Sequence, residues 1–511
     1  MPQSPSSRPA LVLRTDADSR IGAGHVMRSL ALAQAWKQAR GRAVFCGRIE
    51  SVSLRDRLQG EGFECLVPEP GGATETATCL RRHGLEGAWV VLDGYHFDTE
   101  WQRELVAEGY QVLVIDDEAK LPSYPVQAVL APGHDASLSR YVTLPTTVIM
   151  AGLKFRLLRS GFAARRRERR RPAAEGRTIL LAFGGADSAN VTRRALHVLS
   201  SILAPKDLVV VVLGPLNQHG SSVGEALSML RCRHELHPDV LDMAELYYRA
   251  DVGLAAAGGG AWEMAACGLP MILVPVAANQ VPGATFLTEA GAALSLGGPQ
   301  DLESSDFAEI LTGLLDDPDR LSRMSTAGPR TCDGLGAGRA CSVLATLGGE
   351  EPRHGWSIRP ARIDDLEAVY RIANDHDVRA NSFSPQPISL HDHARWYIDR
   401  LGRQDCALYV IEIEEVVAGL IRFDCSGTDA EIDYAVHPAF RRRGLGRRLL
   451  RDGASLAAER FGVATVSGVV IGDNSASRRA FLAAGYRDMG AWHRQGRDCR
   501  TYQLALQEST T

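Results

Sequence analysis

Short runs of apolar residues recur along the first two thirds of the chain, and turns and helical patterns follow them. The runs lie at Leu11–Arg14, Ala43–Cys46, Trp89–Leu92, Val112–Ile115, Val129–Ala131, Thr178–Phe183, Leu208–Leu213, Asp251–Ala255 and Met271–Pro275. Helical patterns intervene at His25–Gln38, Val191–Ile202 and Ala261–Cys267. Continuous apolar runs with helices between them are typical of parallel strands that are buried on both faces. The pattern therefore predicts two α/β domains in tandem, with a cleft between them.

The pattern changes near Trp356, where a helix precedes strands that look antiparallel, at Ala407–Glu412, Val417–Phe423 and Glu431–Val436. A basic glycine loop and another helix follow, so we expect a third α/β domain with a mixed sheet. We place the three domains at residues 1–160, 175–346 and 356–508. The run Arg165–Arg171 (RRRERRR) is interpreted as a solvated linker or helix end, with an RNA-binding patch as the alternative.

Composition narrows the class of protein. The 511 residues carry a formal net charge of −4, which argues against a general nucleic-acid binder. Ten scattered cysteines with no C-x-x-C or C-x-C pair predict neither a metal site nor disulfides, and they fit a cytoplasmic location. The longest apolar stretch, Leu254–Ala278, contains Glu263 and two prolines, so we expect no membrane span. The sequence leaves the oligomeric state open.

The first candidate site is the segment Asp16–Arg28 (DADSRIGAGHVMR), which follows a strand and opens a helix. Gly22 and Gly24 let a ligand approach the backbone, and a helix N-terminus presents free N–H groups to an anion. His25 then lies at the mouth of the predicted cleft. A histidine that only caps or packs the helix is the alternative.

A second glycine turn, Gly258, Gly259 and Gly260, follows a strand and enters a helix that contains Glu263. This carboxylate could accept hydroxyls of a sugar or ribose, or could be a helix N-terminal acid favoured by the dipole. Asn279 and Gln280 follow the next strand. In open α/β sheets ligands bind beyond the carboxyl ends of the strands. His25, the glycine turn and Asn279 are all expected there.

Five motifs follow one another in residues 9–345, namely RTDADSRIGAGHVMRSLALA, LDGYHFD (Leu92–Asp98), VIDDEA (Val114–Ala119), LAFGGAD (Leu181–Asp187) and AAGGGAWEMAACGLP…NQ. In these motifs the chain resembles a family of nucleotide-sugar hydrolases that remove UDP from UDP-2,4-diacetamido-2,4,6-trideoxy-β-L-altropyranose in pseudaminic acid synthesis. The resemblance implies two Rossmann-like domains in the GT-B arrangement and metal-independent attack of water with inversion.

The same resemblance implies roles for particular residues. His25 matches the general base and Arg28 the arginine of the motif G-x-G-H-x-x-R. Tyr95 and Asn279 match residues near the reacting sugar, with Gln280 beside them, and Gly258–Gly260 with Glu263 match the UDP side. The family often has Ser or Thr in this glycine turn, where Gly260 and Ala261 stand here.

A third candidate site lies in EIDYAVHPAFRRRGLGRRLL, where a strand, the motif R-x-x-G-x-G and an amphipathic helix follow one another. Glycines in such a turn expose successive N–H groups to a diphosphate, and nearby arginines add positive charge. A solvated arginine-rich surface turn is the alternative.

From about residue 356 to residue 508 the chain resembles the GNAT N-acetyltransferases, which use acetyl-CoA. The resemblance implies cofactor contacts from the strand, the loop and a second signature, namely Ala435, Val436, Arg441, Arg442, Arg443, Gly444, Leu445, Gly446, Arg447 and Asn474. It implies Glu431 as the base for the amine. Phe481 occupies the position of the usual tyrosine acid, and Tyr486 is expected to pack in the core.

Together the resemblances imply a bifunctional enzyme that acetylates the amine of a UDP-4-amino-sugar and then hydrolyses the product. One alternative is a GT-B glycosyltransferase fused to an acetyltransferase. Another is an inactive sugar-binding half, which the intact His25, Tyr95 and Asn279 argue against. His391 and His393 would not share a helix face, so we predict no metal there.

Overall fold

The computed structural model describes residues 8–18, 24–164, 176–214, 216–238, 240, 242–472 and 474–506. Gly22 and the run Arg165–Arg171 lie outside these residues.

The N-terminal unit is a parallel sheet of seven strands in the order β3-β2-β1-β4-β5-β6-β7. The strands are β1 Leu11–Thr15, β2 Ala43–Cys46, β3 Glu64–Leu66, β4 Trp89–Asp93, β5 Gln111–Ile115, β6 Ala128–Ala131 and β7 Val148–Ala151. Helices cover it: α1 Gly24–Gln38, α2 Val52–Gly60, α3 Ala73–Arg82, α4 Thr99–Ala107 and α5 Ser160–Ala164. Leu11 and Leu13 face one core and Val12 faces another, which explains the unbroken apolar runs.

The second unit is a parallel sheet in the order β10-β9-β8-β11-β12-β13. Its strands are β8 Thr178–Ala182, β9 Leu208–Leu213, β10 Arg233–Pro238, β11 Val252–Ala256, β12 Met271–Val274 and β13 Ala293–Ser295. Its helices are α6 Val191–Ile202, α7 Gly220–Ser228, α8 Met243–Arg249, α9 Gly259–Cys267, α10 Val281–Glu289, α11 Ser305–Leu315, α12 Pro318–Thr331 and α13 Gly336–Leu347. Helix α13 returns to the first unit, where its Ala340 and Leu344 pack in the same hydrophobic core as Leu30 of α1.

The third unit is a mixed sheet in the order β14-β15-β16-β17-β18-β20-β19, in which only the β17–β18 pair is parallel. The strands are β14 Ser357–Pro360, β15 Cys406–Ile413, β16 Val416–Ser426, β17 Asp429–Val436, β18 Thr465–Ile471, β19 Arg487–Arg494 and β20 Arg497–Ala505. The helices are α14 Leu366–Ala373, α15 His376–Ala380, α16 Leu390–Gly402, α17 Leu445–Phe461 and α18 Ser475–Ala483.

The third unit packs against the first. Glu367 of α14 accepts hydrogen bonds from the Ser137 hydroxyl at 2.7 Å and from the Leu138 backbone N–H at 2.6 Å. Arg371, on the same helix, donates to Thr143 at 2.5 Å. These contacts join the third unit to the loops that precede β7.

The predicted fold class is confirmed: two parallel Rossmann-like sheets precede a mixed α/β sheet. Within the described residues, no helix has the length and apolar character that crossing a bilayer requires.

Candidate active sites

The buried carboxylate of Asp93 is the centre of the first site. Asp93 ends β4, and β4 lies beside β1 where the strand order reverses, which is where open α/β sheets place ligands. Its Oδ1 lies 2.7 Å from His25 Nδ1. Arg28 donates to both carboxylate oxygens, from Nε to Oδ2 at 2.8 Å and from Nη2 to Oδ1 at 2.6 Å. One turn of α1 is therefore fixed to the carboxyl end of the sheet.

Arg28 also donates to Asp117 at 2.7 Å, and so it connects the ends of β4 and β5. Burial opposes the ionisation of Asp93, but the charge of Arg28 and the hydrogen bonds from His25 and Arg28 prevail and lower its pKa. Asp93 is therefore ionised at neutral pH. The sequence pattern identified Arg28 as a site residue but neither Asp93 nor Asp117. Both aspartates could have been found from their position, because each carboxylate lies at or just after the end of an apolar strand.

The Asp93 carboxylate selects the tautomer of His25 in which Nδ1 carries the proton and Nε2 is free to accept one. No described residue forms a hydrogen bond with Nε2. The Tyr95 ring meets the imidazole edge-on at 5.0 Å between centroids, and its side chain is largely exposed. His25, Arg28 and Tyr95, which sequence reasoning placed near one another, do lie together.

The glycine turn of the second unit begins α9, with Gly258 as its N-cap. A Cβ on Gly258 would meet Gln280 Nε2 at an ordinary 3.7 Å, and one on Gly259 would meet nothing within 4 Å. Packing thus gives no reason for glycine at these two positions. Gln280 accepts from the Val276 N–H at 3.0 Å, and Asn279 beside it is exposed. The turn and the Asn-Gln pair are therefore neighbours.

Two expectations about this helix are wrong. It begins at Gly259 rather than Ala261, because the glycines themselves form its first turn. Glu263 consequently lies beyond that turn, so the explanation by the N-terminal dipole fails. Its carboxylate accepts from the Tyr247 hydroxyl at 3.2 Å and lies 3.7 Å from Arg159. Burial raises the pKa of Glu263 despite these partners.

Aromatic contacts connect the two parallel sheets across the cleft. His134 follows β6 of the first sheet, and its ring stacks on Trp262 of α9 at 6.1 Å between centroids. The same ring lies 5.2 Å from Phe286 of α10. The carboxyl ends of the two sheets therefore face each other, and both glycine-led helices α1 and α9 open toward one cleft.

In the third unit, strands β17 and β18 diverge. Their pairing ends at Ile432 with Gly468, whereas β17 stays paired with β16 as far as Val436. The backbone from Asp433 to Val436 therefore has no strand on its β18 side. This wedge includes Ala435 and Val436, the two residues expected to contact the cofactor through their backbone.

The loop after β17 is shaped by its backbone. Arg442 and Gly444 have left-handed conformations, with φ of 63° and 75°, and α17 starts at Leu445. A Cβ on Gly446 would come within 3.2 Å of the Tyr434 ring, so glycine fits tightly there. Leu445 is buried, so its side chain packs in the core and only its N–H is available to a ligand. The first N–H groups of α17 point out of this loop.

The arginines of this loop do different things. Arg441 forms ion pairs with Asp375 and with Asp377, the latter at 2.7 Å. Arg443 donates to the carbonyl of Leu347 at 3.3 Å. Two further arginines are exposed and form no hydrogen bond or ion pair with any described residue, namely Arg442 and Arg447. Among these four arginines, only Arg442 and Arg447 are therefore available to pair with a bound anion.

Two aromatic side chains near the wedge are structural. Phe481 is buried and stacks on Tyr502 at 5.2 Å. Tyr486 is buried, and its hydroxyl donates to the Leu450 carbonyl at 3.1 Å. Asn474 caps α18 by accepting from the Ser477 N–H at 3.0 Å, which leaves its amide NH₂ free to donate.

Two carboxylates lie on one face of β17. Glu431 is exposed and stands within the part of the strand that pairs with β18. Asp433 stands at the start of the wedge, opposite Arg422 of β16, and sequence reasoning missed it. Its side chain is open to solvent, yet enough protein surrounds it for desolvation to raise its pKa.

His391 and His393 of α16 lie on different faces of the helix, as their spacing predicts. His391 is exposed, whereas His393 is buried and its burial lowers its pKa to about 4. Across the described part of the chain, no group of three or more His, Cys, Asp and Glu side chains is arranged to hold a metal ion.

Residues 357–487 match the family model Acetyltransf_3, the acetyltransferase (GNAT) domain. The candidate acetyltransferase yncA of Salmonella typhimurium was solved with its cofactor acetyl-CoA. It is 24% identical, with a TM-score of 0.27, and the match covers 30% of this chain and 96% of that one.

The N-terminal part matches curated relatives. The spore coat polysaccharide biosynthesis protein SpsG of Bacillus subtilis is 25% identical over 65% of this chain and 96% of its own length. The UDP-N-acetylglucosamine--N-acetylmuramyl-(pentapeptide) pyrophosphoryl-undecaprenol N-acetylglucosamine transferase of Xylella fastidiosa is 31% identical over 34% of this chain and 48% of that enzyme. The chain spans about half the length of two of its curated relatives.

The chain therefore carries an acetyltransferase (GNAT) domain at residues 357–487, and two units with parallel Rossmann-like sheets precede this domain.

Proposed function

We propose that the chain is a bifunctional enzyme of pseudaminic acid synthesis. Its C-terminal domain acetylates the 4-amine of UDP-4-amino-4,6-dideoxy-N-acetyl-β-L-altrosamine with acetyl-CoA. Its N-terminal domains then hydrolyse UDP-2,4-diacetamido-2,4,6-trideoxy-β-L-altropyranose to UDP and the free sugar. The observation that carries the hydrolase proposal is the buried Asp93 that fixes His25 and Arg28 beside the cleft.

In the hydrolytic step, water attacks the anomeric carbon and gives its proton to His25 Nε2. The bond from that carbon to the diphosphate oxygen breaks, and its electron pair leaves with UDP. The Gly258–Gly260 turn and the N-terminus of α9 stabilise the charge that develops on UDP. Tyr95 and Asn279 are the side chains proposed to orient the sugar. Asp93 acts only through His25 and is a positioning residue.

In the acetylation step, acetyl-CoA supplies the acetyl thioester, and residues of the wedge and loop would hold it. The backbone N–H groups at Leu445 and Gly446 bind the diphosphate, and the free amide NH₂ of Asn474 donates to the pantetheine arm. The wedge leaves backbone groups of β17 for that arm, and the tight fit of Gly446 against the Tyr434 ring agrees with a backbone cradle.

The base for the amine is one of the two carboxylates on β17, and the structure favours Asp433 over Glu431. Asp433 stands where the wedge opens, whereas Glu431 lies in the part of β17 that pairs with β18, and desolvation raises the pKa of Asp433, which suits a proton acceptor. Phe481 has no proton to give. Tyr434 lies in the wedge, its hydroxyl donates to Ser477 at 3.1 Å beside α18, and it would protonate the leaving thiolate.

A second candidate is glycosyl transfer, which the identity with the Xylella fastidiosa transferase favours. The two reactions share UDP release but differ in the acceptor. Hydrolysis needs only water, whereas transfer needs a sugar or lipid hydroxyl.

The test uses the purified full-length chain, the UDP-4-amino-sugar and acetyl-CoA, with mass spectrometry of the products. We expect the acetylated UDP-sugar first and then UDP with the free diacetamido sugar, without an added acceptor. If UDP were released only after addition of a glycoside or lipid acceptor, the N-terminal domains would catalyse glycosyl transfer and not hydrolysis.

A further inference from the structure

Arg156 lies on the connection between the two parallel sheets, between β7 and β8. Arg156 follows the buried Phe155 and precedes the buried Leu157 and Leu158, so its backbone is fixed. Its carbonyl oxygen packs so closely on the start of α13 that a Cβ on Gly336 would lie 2.4 Å from it. The guanidinium carbon lies 4.9 Å from the ring centre of Trp262, on the helix that the glycine turn begins.

Arg156 differs from the other arginines around the cleft in having no anionic partner. Arg28 pairs with Asp93 and Asp117, and Arg159 lies 3.7 Å from Glu263. In the described structure, Arg156 makes neither a hydrogen bond nor an ion pair through its side chain. Desolvation lowers its pKa, which means that the surroundings do not compensate its charge. A partly buried cation without a partner costs free energy that an anionic ligand would recover.

The charges that act on Arg156 come from both halves of the cleft. Asp117 and Arg28 belong to the carboxyl end of the first sheet, and Glu263 belongs to α9. The guanidinium packs on Trp262 of the helix that the glycine turn begins, and the charges of Arg28 and Asp117 from the His25 side also act on it. An anion held by the glycine turn and cleaved near His25 would lie close to both sets of residues.

We propose that Arg156 binds the diphosphate of the nucleotide sugar together with the glycine turn and stabilises the charge on the departing UDP. The inference rests on the proposed function, since it takes the ligand to be a nucleoside diphosphate sugar. The guanidinium stays protonated throughout the step, while the electron pair of the broken bond passes to the phosphate oxygen. Trp262 holds the guanidinium plane, so Arg156 meets the diphosphate without rearrangement.

The experiment compares the binding of UDP and of uridine to the full-length chain by calorimetry. We expect Arg156→Gln to weaken UDP binding about 10- to 100-fold, the range for hydrogen bonds to a charged group, and to leave uridine binding unchanged. Arg156→Lys, which keeps the charge, is expected to retain most of the preference for UDP over uridine. Arg193→Gln, at an exposed arginine of α6, is the matched control and should change neither.

Three results would overturn the inference. Equal UDP affinity in wild type and Arg156→Gln would show that Arg156 does not contact the diphosphate. Equal losses for UDP and uridine in both Arg156 variants would assign Arg156 to the support of Trp262. Absence of UDP binding in the wild type would remove the inference together with the proposed function. UDP binding that depends on Arg156, without UDP release from the sugar nucleotide, would overturn only the hydrolase and leave the inference standing.

Discussion

The cleft between the two parallel sheets and the wedge of the acetyltransferase domain hold their chemical groups in opposite ways. In the cleft, a buried carboxylate, Asp93, fixes His25 and Arg28 through hydrogen bonds of 2.6 to 2.9 Å. In the wedge, diverging strands and a left-handed Gly444 present backbone groups, and two of the four loop arginines, Arg441 and Arg443, are paired with other protein groups. Side chains should therefore dominate the energetics of the first site and backbone geometry those of the second.

The largest expected effect belongs to His25. His25→Ala should lower UDP release from the acetylated sugar nucleotide by about 10²–10⁴, because a positioned general base contributes that much. Substrate affinity should change little, and acetyl transfer should persist. The rates are measured on the two substrates separately, with coupled detection of UDP and of free CoA.

His234→Ala, at an exposed histidine of β10, is the control for removal of an imidazole and should leave both rates unchanged. If His25→Ala hydrolysed the substrate near the wild-type rate, His25 would not be the general base, and its hydrogen bond with Asp93 would have no part in the mechanism.

At Gly446 the proposed contact with the ligand comes from the backbone and not from a side chain, so here the addition of a side chain should cause the loss of activity. Gly446→Glu places a carboxylate against the cofactor diphosphate and a Cβ within 3.2 Å of the Tyr434 ring. At an effective dielectric near 20, like charges about 4 Å apart cost roughly 4 kcal/mol, so acetyl-CoA binding should weaken by nearly 10³. Calorimetry with acetyl-CoA and the acetyl-transfer rate both report this loss.

The same variant should still release UDP from the substrate that is already acetylated. Gly338→Glu, at an exposed helical glycine of α13 with nothing within 4 Å of its Cβ, is the matched control. Loss of both activities in Gly446→Glu would show that the two sites are not independent.

This contrast also explains what the sequence could predict. The position of the glycine loop between a strand and a helix agrees with the prediction because it depends on adjacent residues, and the same holds for the apolar runs that form strands. Asp93 was within the motif LDGYHFD, yet its role depends on His25, 68 residues away in the chain. Arg441 matched a cofactor-binding motif, but its ion pairs with Asp375 and Asp377 come from a helix that the motif does not include. Long-range pairing, rather than local spacing, limited the prediction.

A smaller effect is expected at Asp433, the side chain of the wedge that is proposed as the base. Asp433→Asn should lower acetyl transfer by about 10², the lower end for general bases, and more than Glu431→Gln does. The raised pKa of Asp433 means that its active, ionised form is lost as the pH falls, at a higher pH than the usual value of about 3.9. The wild-type rate should therefore fall on the acidic side, and Asp433→Asn should lose that limb.

The pH profile of kcat/KM for the amino-sugar measures this limb. If Glu431→Gln lowered kcat/KM more than Asp433→Asn does, the base would be Glu431, in the part of β17 that pairs with β18.

The smallest effects are expected at the uncommitted arginines of the loop, Arg442 and Arg447. Both are exposed, and exposed ion pairs contribute about 0.2–1 kcal/mol, so each change to alanine should raise the KM for acetyl-CoA only about 1.5- to 5-fold. The difference should shrink as salt is added, because exposed charges are screened within about 10 Å at 0.1 M. Arg460→Ala, at the far end of the same helix, is the control and should have no effect. If Arg442→Ala weakened acetyl-CoA binding as much as Gly446→Glu does, the wedge would depend on charged side chains as the cleft does, and the contrast between the two sites would fail.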